Sequence, residues 1–235
     1  MIVNINCHIT LLPPWSICYY ISIDLGAYEL IVNYSFLEDV DIVCICVTTP
    51  LNIYRQPDIS YIKKSTENIA KNLHKGMLVI LELITYSGTA EELVKPILES
   101  ISSLKCGEDF FLAFSPERID PGNLKFKVMN TLKIVGGIDD ISMEVTVFFY
   151  QHILQSKIYT VSSPRIAEME KIYENIFRNV NVALVNEMAI LCHKMNIDLR
   201  GVIEAAKTKP CGFMPFYPGL GIGGNCIPID QFYLT

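Results

Sequence analysis

The sequence has no Lys or Arg before Arg55, although five acids (Asp24, Glu29, Glu38, Asp39 and Asp41) fall within residues 1–50. The N-terminus therefore lacks the positive start of a secretory signal and the arginines of a transit peptide. None of the eight cysteines forms a C-x-x-C pair, so the spacing of a zinc site or a thioredoxin-like redox site is missing. Scattered thiols suit a reducing compartment, and a cytoplasmic location is expected. Basic residues are outnumbered, 19 against 25, and no basic stripe marks a nucleic-acid binder. The uncharged stretch 1–23 is interrupted by Asn4, Asn6, His8, Pro13 and Pro14. A membrane span needs about 20 mainly apolar residues, so none is expected there. Charged residues are only 19% and hydrophobic ones 51%, which opposes long disorder and leaves enough apolar chain for one large core or two small ones.

What is present from residue 41 onward is an alternation of short apolar runs with helical patterns. Residues 41–47, 77–82, 110–114, 132–136 and 157–161 read as buried strands, with Cys44 and Cys46 inside the first. Helices are expected at about 59–73, 89–104 and 140–155, with Thr89 as an N-cap ahead of Glu91 and Glu92. Strand–helix–strand repetition predicts an α/β fold with a parallel sheet covered by helices. After Ser162-Ser163-Pro164 the pattern changes. Ile172, Ile176, Val180, Ala183, Leu184, Met188 and Leu191 recur at helical spacing, with no Gly or Pro across 165–195. Such a helix spans roughly 45 Å, a length that often bridges domains or subunits. A shorter helix is expected at about 199–208, followed by a Gly- and Pro-rich stretch.

Three segments carry candidate chemistry. In the first, Gly219, Gly221 and Gly224 match G-x-G-x-x-G in form, but prolines 215, 218 and 228 flank them. A dinucleotide fingerprint follows a strand and opens a helix, so that reading is rejected. The segment reads instead as a rigid loop presenting Cys226, either as a nucleophile or as an inert buried thiol. In the second, Lys171 and Asn175 share one helix face, with Arg178 further along. They could hold an oxyanion and orient a water, or belong to an ordinary solvated face. In the third, Glu117 follows a strand end, where parallel sheets bind ligands.

Together these segments resemble the UDP-glucose/GDP-mannose dehydrogenase family, and within it the UDP-N-acetylglucosamine 6-dehydrogenase branch. The resemblance rests on Cys46–Leu51 (CVTTPL), Pro57–Tyr61 (PDISY), Ser115–Asn123 (SPERIDPGN), Ala167–Glu187 (AEMEKIYENIFRNVNVALVNE) and Thr208–Asp230 (TKPCGFMPFYPGLGIGGNCIPID). It covers about residues 35–235. It implies a partial Rossmann-like sheet over 1–163, with 1–34 divergent, then a helical dimerisation and catalytic domain over 164–235. The implied reaction oxidises C6 of a UDP-sugar to a carboxylate with two NAD. Cys226 would form the thiohemiacetal and thioester, a role suited to a thiolate. Lys171 and Asn175 would hold the C6 oxygen, Asp230 would position Lys171 or the hydrolytic water, and Glu117 would join the acid–base network. Tyr217, Gly221, Gly223 and Gly224 would line the sugar site. Thr49 and Pro50 would contact the cofactor. The implied partners are a UDP-sugar and a second copy joined through the 165–195 helix.

Departures from the family pattern are equally specific. Residues 1–34 contain only Gly26, so the N-terminal G-x-G-x-x-G is absent. The family's E-S-T-x-x-P-G-T stretch appears as Glu82–Thr89 (ELITYSGT), with Ile84 in place of the threonine implied to bond the catalytic water. Thr48 stands where a small residue or Pro is usual, Asn225 where His is frequent, and Gln231 where Pro is frequent. The chain ends at Thr235, before the family's C-terminal nucleotide-binding domain. Two other readings follow: a non-catalytic remnant or dimerising subunit, and a β-hydroxyacid dehydrogenase sharing the Lys-x-x-x-Asn spacing but needing no cysteine.

Overall fold

The computed structural model describes residues 18–19, 37, 40–54, 56–119, 125–223 and 227–234. The chain forms two compact units, residues 1–171 and 172–235, with the boundary inside one long helix.

The first unit is a six-stranded sheet in chain order: β1 (Cys18–Tyr19), β2 (Ile42–Ile45), β3 (Leu78–Leu81), β4 (Phe111–Phe114), β5 (Lys133–Gly137) and β6 (Ile158–Val161). Strands β2, β3 and β4 run parallel, Ile42 beside Leu78 and Leu78 beside Phe111. Their sequences IVCI, LVIL and FLAF are apolar at nearly every position because both faces are covered. One face, through Val43, Ile45, Val79, Leu81, Leu112 and Phe114, joins a core with Ile62 and Ile69 of α1 (Ser60–Ala70) and Leu98 of α2 (Lys95–Ser102). The other, through Cys44, Leu78, Ile80 and Val135, meets Phe149 and Tyr150 of α3 (Asp140–Ile153).

The expected α/β class is present, and the sheet is mixed. Strand β5 runs antiparallel to β4, and β1 antiparallel to β2. The physical reason for the first reversal lies in the connection: the described residues between Ser115 and Leu132 contain no helix to return the chain for a parallel crossover. Cys18 and Tyr19 form β1 at the sheet edge, beside Ile45 and Cys44. Gly137 is required where β5 turns into α3: a Cβ there would sit 2.5 Å from the Met143 nitrogen. Asp139 caps α3 by accepting from the Ser142 N–H at 2.8 Å.

Thr89 is not the cap expected of it. A π-helical turn, Thr89–Val94, precedes α2, and the residue ahead of it is Gly88 with φ +110°. The Thr89 hydroxyl instead bonds the Tyr86 carbonyl at 2.8 Å and the Thr85 hydroxyl at 2.8 Å. The turn's free N–H groups are met by Glu168 from another helix, a partner that local sequence does not reveal.

That helix is α4 (Pro164–Lys194), 31 residues without interruption, as its spacing predicts. The second unit contains its later part together with α5 (Leu199–Lys207), α6 (Ile227–Asp230) and a 3₁₀ turn, Gln231–Leu234. Asp198 caps α5, accepting from the Arg200 and Gly201 N–H groups. Among the described residues no helix is long and apolar enough to cross a membrane.

Candidate functional site

In the first unit, the polar groups gather where β2, β3 and β4 end. Thr49 and Pro50 follow β2, both half-buried, and the Pro50 carbonyl accepts from the Asp58 N–H at 2.8 Å. Ser115 closes β4. Its hydroxyl donates 2.6 Å to the Ile134 carbonyl. Glu117 is exposed one turn later, accepting from the Ile119 N–H at 2.7 Å. Arg118 and Glu170 pair at 3.7 Å, which brings this turn beside the part of α4 that carries Lys171. Lys171 itself is half-buried.

Beneath this edge lies a cluster the sequence reading missed. Glu82, first residue after β3, accepts from the Lys133 ammonium and from the Tyr150 hydroxyl at 2.9 Å. Cys46 Sγ approaches its other oxygen at 3.7 Å. Burial opposes the charge on Lys133, but Glu82, with Glu117 beyond it, outweighs that and holds the ammonium above its usual range. Burial, then the Glu82 charge, pushes the Tyr150 hydroxyl well up. A Lys opening an apolar strand and a Glu closing another were the available signals. Which strands they shared was not legible, because β4–β5 pairing reverses direction.

The Glu82–Thr89 loop departs from its expected chemistry in one further respect. Thr85, next to Ile84, is 1% exposed and bonded to Thr89, so its hydroxyl does not replace the missing threonine at the surface.

In the second unit, Asn175 and Asp230 are each 3% exposed, and the Asn175 amide nitrogen donates to the Asp230 carboxylate. A carboxylate facing the amide fixes its orientation, nitrogen inward and oxygen away. Asn179, one turn on, donates to the Ile227 carbonyl at 3.1 Å and the Gln231 side chain at 3.0 Å. Further along α4, Asn186 accepts from the Gly219 N–H at 3.0 Å and donates to the Gly221 carbonyl at 3.1 Å. Gly221 and Gly223 have φ of +88° and +73°, backbone that favours glycine. Tyr217 is exposed and donates 2.6 Å to Glu204 of α5, a bond that raises its own pKa and lowers that of Glu204. Gly224 and Cys226 lie outside the described residues. Among the described residues no group of His, Cys, Asp or Glu is arranged to hold a metal ion.

The residues so placed can orient an amide, pair a carboxylate with an ammonium and present backbone at close range. Compared with known proteins, residues 25–154 match the NAD binding domain of the UDP-glucose/GDP-mannose dehydrogenase family, and residues 165–235 match its central domain. The UDP-N-acetyl-D-glucosamine 6-dehydrogenase of Pseudomonas aeruginosa is 40% identical over 203 residues, 86% of this chain and 48% of that protein. The UDP-N-acetyl-D-mannosamine dehydrogenase of Pyrococcus horikoshii is 33% identical over 212 residues, 90% of this chain and 50% of that protein. A solved structure of UDP-D-ManNAc dehydrogenase from the same organism aligns with a TM-score of 0.83, again over 90% of this chain and 50% of the other. The chain spans about half the length of the curated relatives it matches.

Proposed function

The chain belongs to the UDP-glucose/GDP-mannose dehydrogenase family, and from that premise we propose that it acts as a nucleotide-sugar 6-dehydrogenase on UDP-N-acetylglucosamine. The observation that carries the reading is the buried Asn175–Asp230 pair, whose second member follows Cys226 by four residues.

The chemistry follows from the residue types. Lys171 and the Asn175 amide hold the C6 oxygen as it loses its proton and the alcohol becomes an aldehyde. The Cys226 thiolate then adds to that carbonyl, forming the C–S bond of a thiohemiacetal whose oxygen carries the negative charge. Loss of the remaining C6 hydrogen with its electron pair leaves a thioester. Water, positioned by Asp230, adds to it, the C–S bond breaks, and the carboxylate departs as the thiolate is restored. Asp230 accepts one N–H of the Asn175 amide, which leaves the nitrogen's second N–H to meet the developing charge without reorienting.

NAD, when bound, accepts the hydride in each of the two oxidations. The residues present fit that cofactor along one edge. Strands β2, β3 and β4 end side by side at Ile45, Leu81 and Phe114, the end at which a parallel sheet receives ligands, and the chain continues from β2 to Thr49–Pro50. Thr49 and Pro50 would line it. In this reading residues 1–163 are an incomplete NAD-binding domain, and 164–235 the central helical domain. Tyr217, Gly221, Gly223 and Gly224 line the sugar site. The location is cytoplasmic.

A homodimer through α4 is supported by its exposed apolar stripe. Tyr173, Phe177, Val180, Leu184, Met188 and Leu191 are exposed at steps of three or four. That spacing places them on one side of the helix, a continuous seam suited to a second copy.

NADH formation with NAD and UDP-N-acetylglucosamine tests the reading. Two NADH per sugar are expected, with acid formation abolished in Cys226→Ser. Acid formation that survives this substitution would overturn it. A folded chain that forms no NADH would favour the second reading, a non-catalytic dimerising subunit, which Ile84 and the engaged Thr85 hydroxyl support. Alcohol oxidation spared by Cys226→Ser would mark the β-hydroxyacid dehydrogenase alternative.

A further inference from the structure

The first two turns of α4, up to Lys171, belong to the sheet unit, and they hold the turn that follows β3. The Ser87 hydroxyl donates to the Arg165 carbonyl at 3.0 Å. The Arg165 guanidinium donates to Glu91 at 2.5 Å and to Glu92 at 2.6 Å. Glu168, one turn on, is 1% exposed, with one oxygen 2.5 Å from the Gly88 nitrogen and the other 2.9 Å from the Ala90 nitrogen. Gly88 permits this closeness, since a Cβ there would sit 3.1 Å from both Arg165 and Glu92. The turn so held, Thr89–Val94, is π-helical, a rare conformation that concentrates at functional sites.

Glu168 is the buried member of a group of ionisable side chains. Glu91 and Glu92 stand on the π-helical turn, Tyr86 on the loop before it and Arg165 on its own helix. Arg165, the cation of the group, is already paired with Glu91 and Glu92. Burial pushes the Tyr86 hydroxyl up, so it stays neutral. The two N–H bonds favour an ionised Glu168, whereas burial and the Glu91 charge oppose it, and burial is the largest of these influences.

We propose that Glu168 is a pH-sensitive latch between the start of α4 and the turn after β3. Protonated, it lets residues 86–90 close on α4. Ionised, it turns toward water and frees the Gly88 and Ala90 N–H groups. A carboxyl raised to about 7 by closure binds its proton more tightly closed than open. The closed form is therefore favoured most below about pH 4.5 and loosens as pH rises through about 7. The loop it holds leaves β3 at the end where a parallel sheet receives ligands, and Lys171 lies one turn beyond Glu168. The bearing of the latch on catalysis rests on the reading of Lys171 as a holder of the C6 oxygen; the latch itself does not.

The test is amide hydrogen exchange of the full chain, read residue by residue by NMR between about pH 5.5 and 8.5, with the intrinsic base-catalysed rise divided out. Over that range the Gly88 and Ala90 amides are expected to lose protection by about tenfold or more. The β3 amides, Leu78–Leu81, lie in the buried sheet and are expected to exchange more slowly at every pH. The α5 amides, in the other unit, are expected to show no such slope. Glu168→Gln keeps the shape without the charge and is expected to flatten the slope at Gly88 and Ala90. A flat profile in the parent chain would overturn the latch, as would a slope that persists in Glu168→Gln. So would β3 amides exchanging as fast as Gly88 and Ala90, or an equal slope in α5, since the opening would then be general. Should Glu168→Gln fail to fold, the parent slope measured against β3 and α5 decides alone. The latch and the enzyme assignment fail separately: exchange needs no turnover, and acid formation surviving Cys226→Ser sinks only the assignment.

Discussion

Glu82 in the sheet unit meets a charge, the Lys133 ammonium, with the Tyr150 hydroxyl beside it. Asp230 in the helical unit meets the neutral amide of Asn175, on a helix whose Asn179 and Asn186 bond backbone carbonyls beyond it, those of Ile227 and Gly221. The first cluster closes on itself: its members neutralise one another across β3, β5 and α3, and their energy goes into joining those elements. The second is open-handed. Its amides have both a donor and an acceptor, carry no net charge, and can grip backbone without adding a charge. Coulombic pairing is strong and indifferent to direction, whereas an amide is weaker and directional. A sheet that must only stay together is served by the first, and backbone that must meet a helix in one direction by the second.

The largest expected effect breaks the functional side of this contrast. In Cys226→Ser, acid formation should fall by about three orders of magnitude or more, read as NADH per sugar, whereas the urea midpoint should barely move. Next comes the structural side. Lys133→Met strands the Glu82 carboxylate among apolar neighbours and should cost about 3–5 kcal/mol in urea unfolding, and adding Glu82→Gln should recover much of it. A double variant as unstable as the single one would show that the pair does not act as a unit.

A third carboxylate sharpens the comparison. Glu168 accepts from the Gly88 and Ala90 N–H groups, yet burial pushes its pKa up to about 7 from 4.5. An acid raised on folding binds more protons in the folded state, so its contribution is complete below about pH 4.5 and lost as pH rises through about 7. Unfolding free energy should therefore fall by about 3 kcal/mol across that window, a slope that Glu168→Gln removes. A flat profile in the parent chain would mean that the two N–H bonds offset burial. The smallest effect belongs to Asn175→Ala, which leaves Asp230 one donor short. It should cost about 1–3 kcal/mol by thermal unfolding, less than Lys133→Met because no counter-charge is removed.

The residues of the proposed site were legible as residue types. Lys171, Asn175, Glu117, Asp230 and the glycine run stand out because their chemistry is uncommon in those patterns. The Asn175–Asp230 bond was not legible, since the resemblance directed Asp230 toward Lys171 or water. Nor was the pairing of Tyr217 with Glu204, or the cap on Gly88 and Ala90 supplied by Glu168 from a helix 78 to 80 residues away. The asparagines at 179 and 186 were visible as residues on the Asn175 face, yet nothing local says that a helix side chain bonds backbone more than 30 residues off.

By itself the sequence determined the alternation of strands and helices, the 31-residue α4 and the apolar runs that bury both faces of β2, β3 and β4, because periodicity and burial are properties of neighbours along the chain. Only the tertiary structure decided that β5 reverses against β4, that Lys133 neutralises Glu82, and that Asn186 of α4 bonds the Gly219 N–H. Those outcomes depend on which distant segments meet, and hydrogen bonds and ion pairs form only at the distances that folding sets.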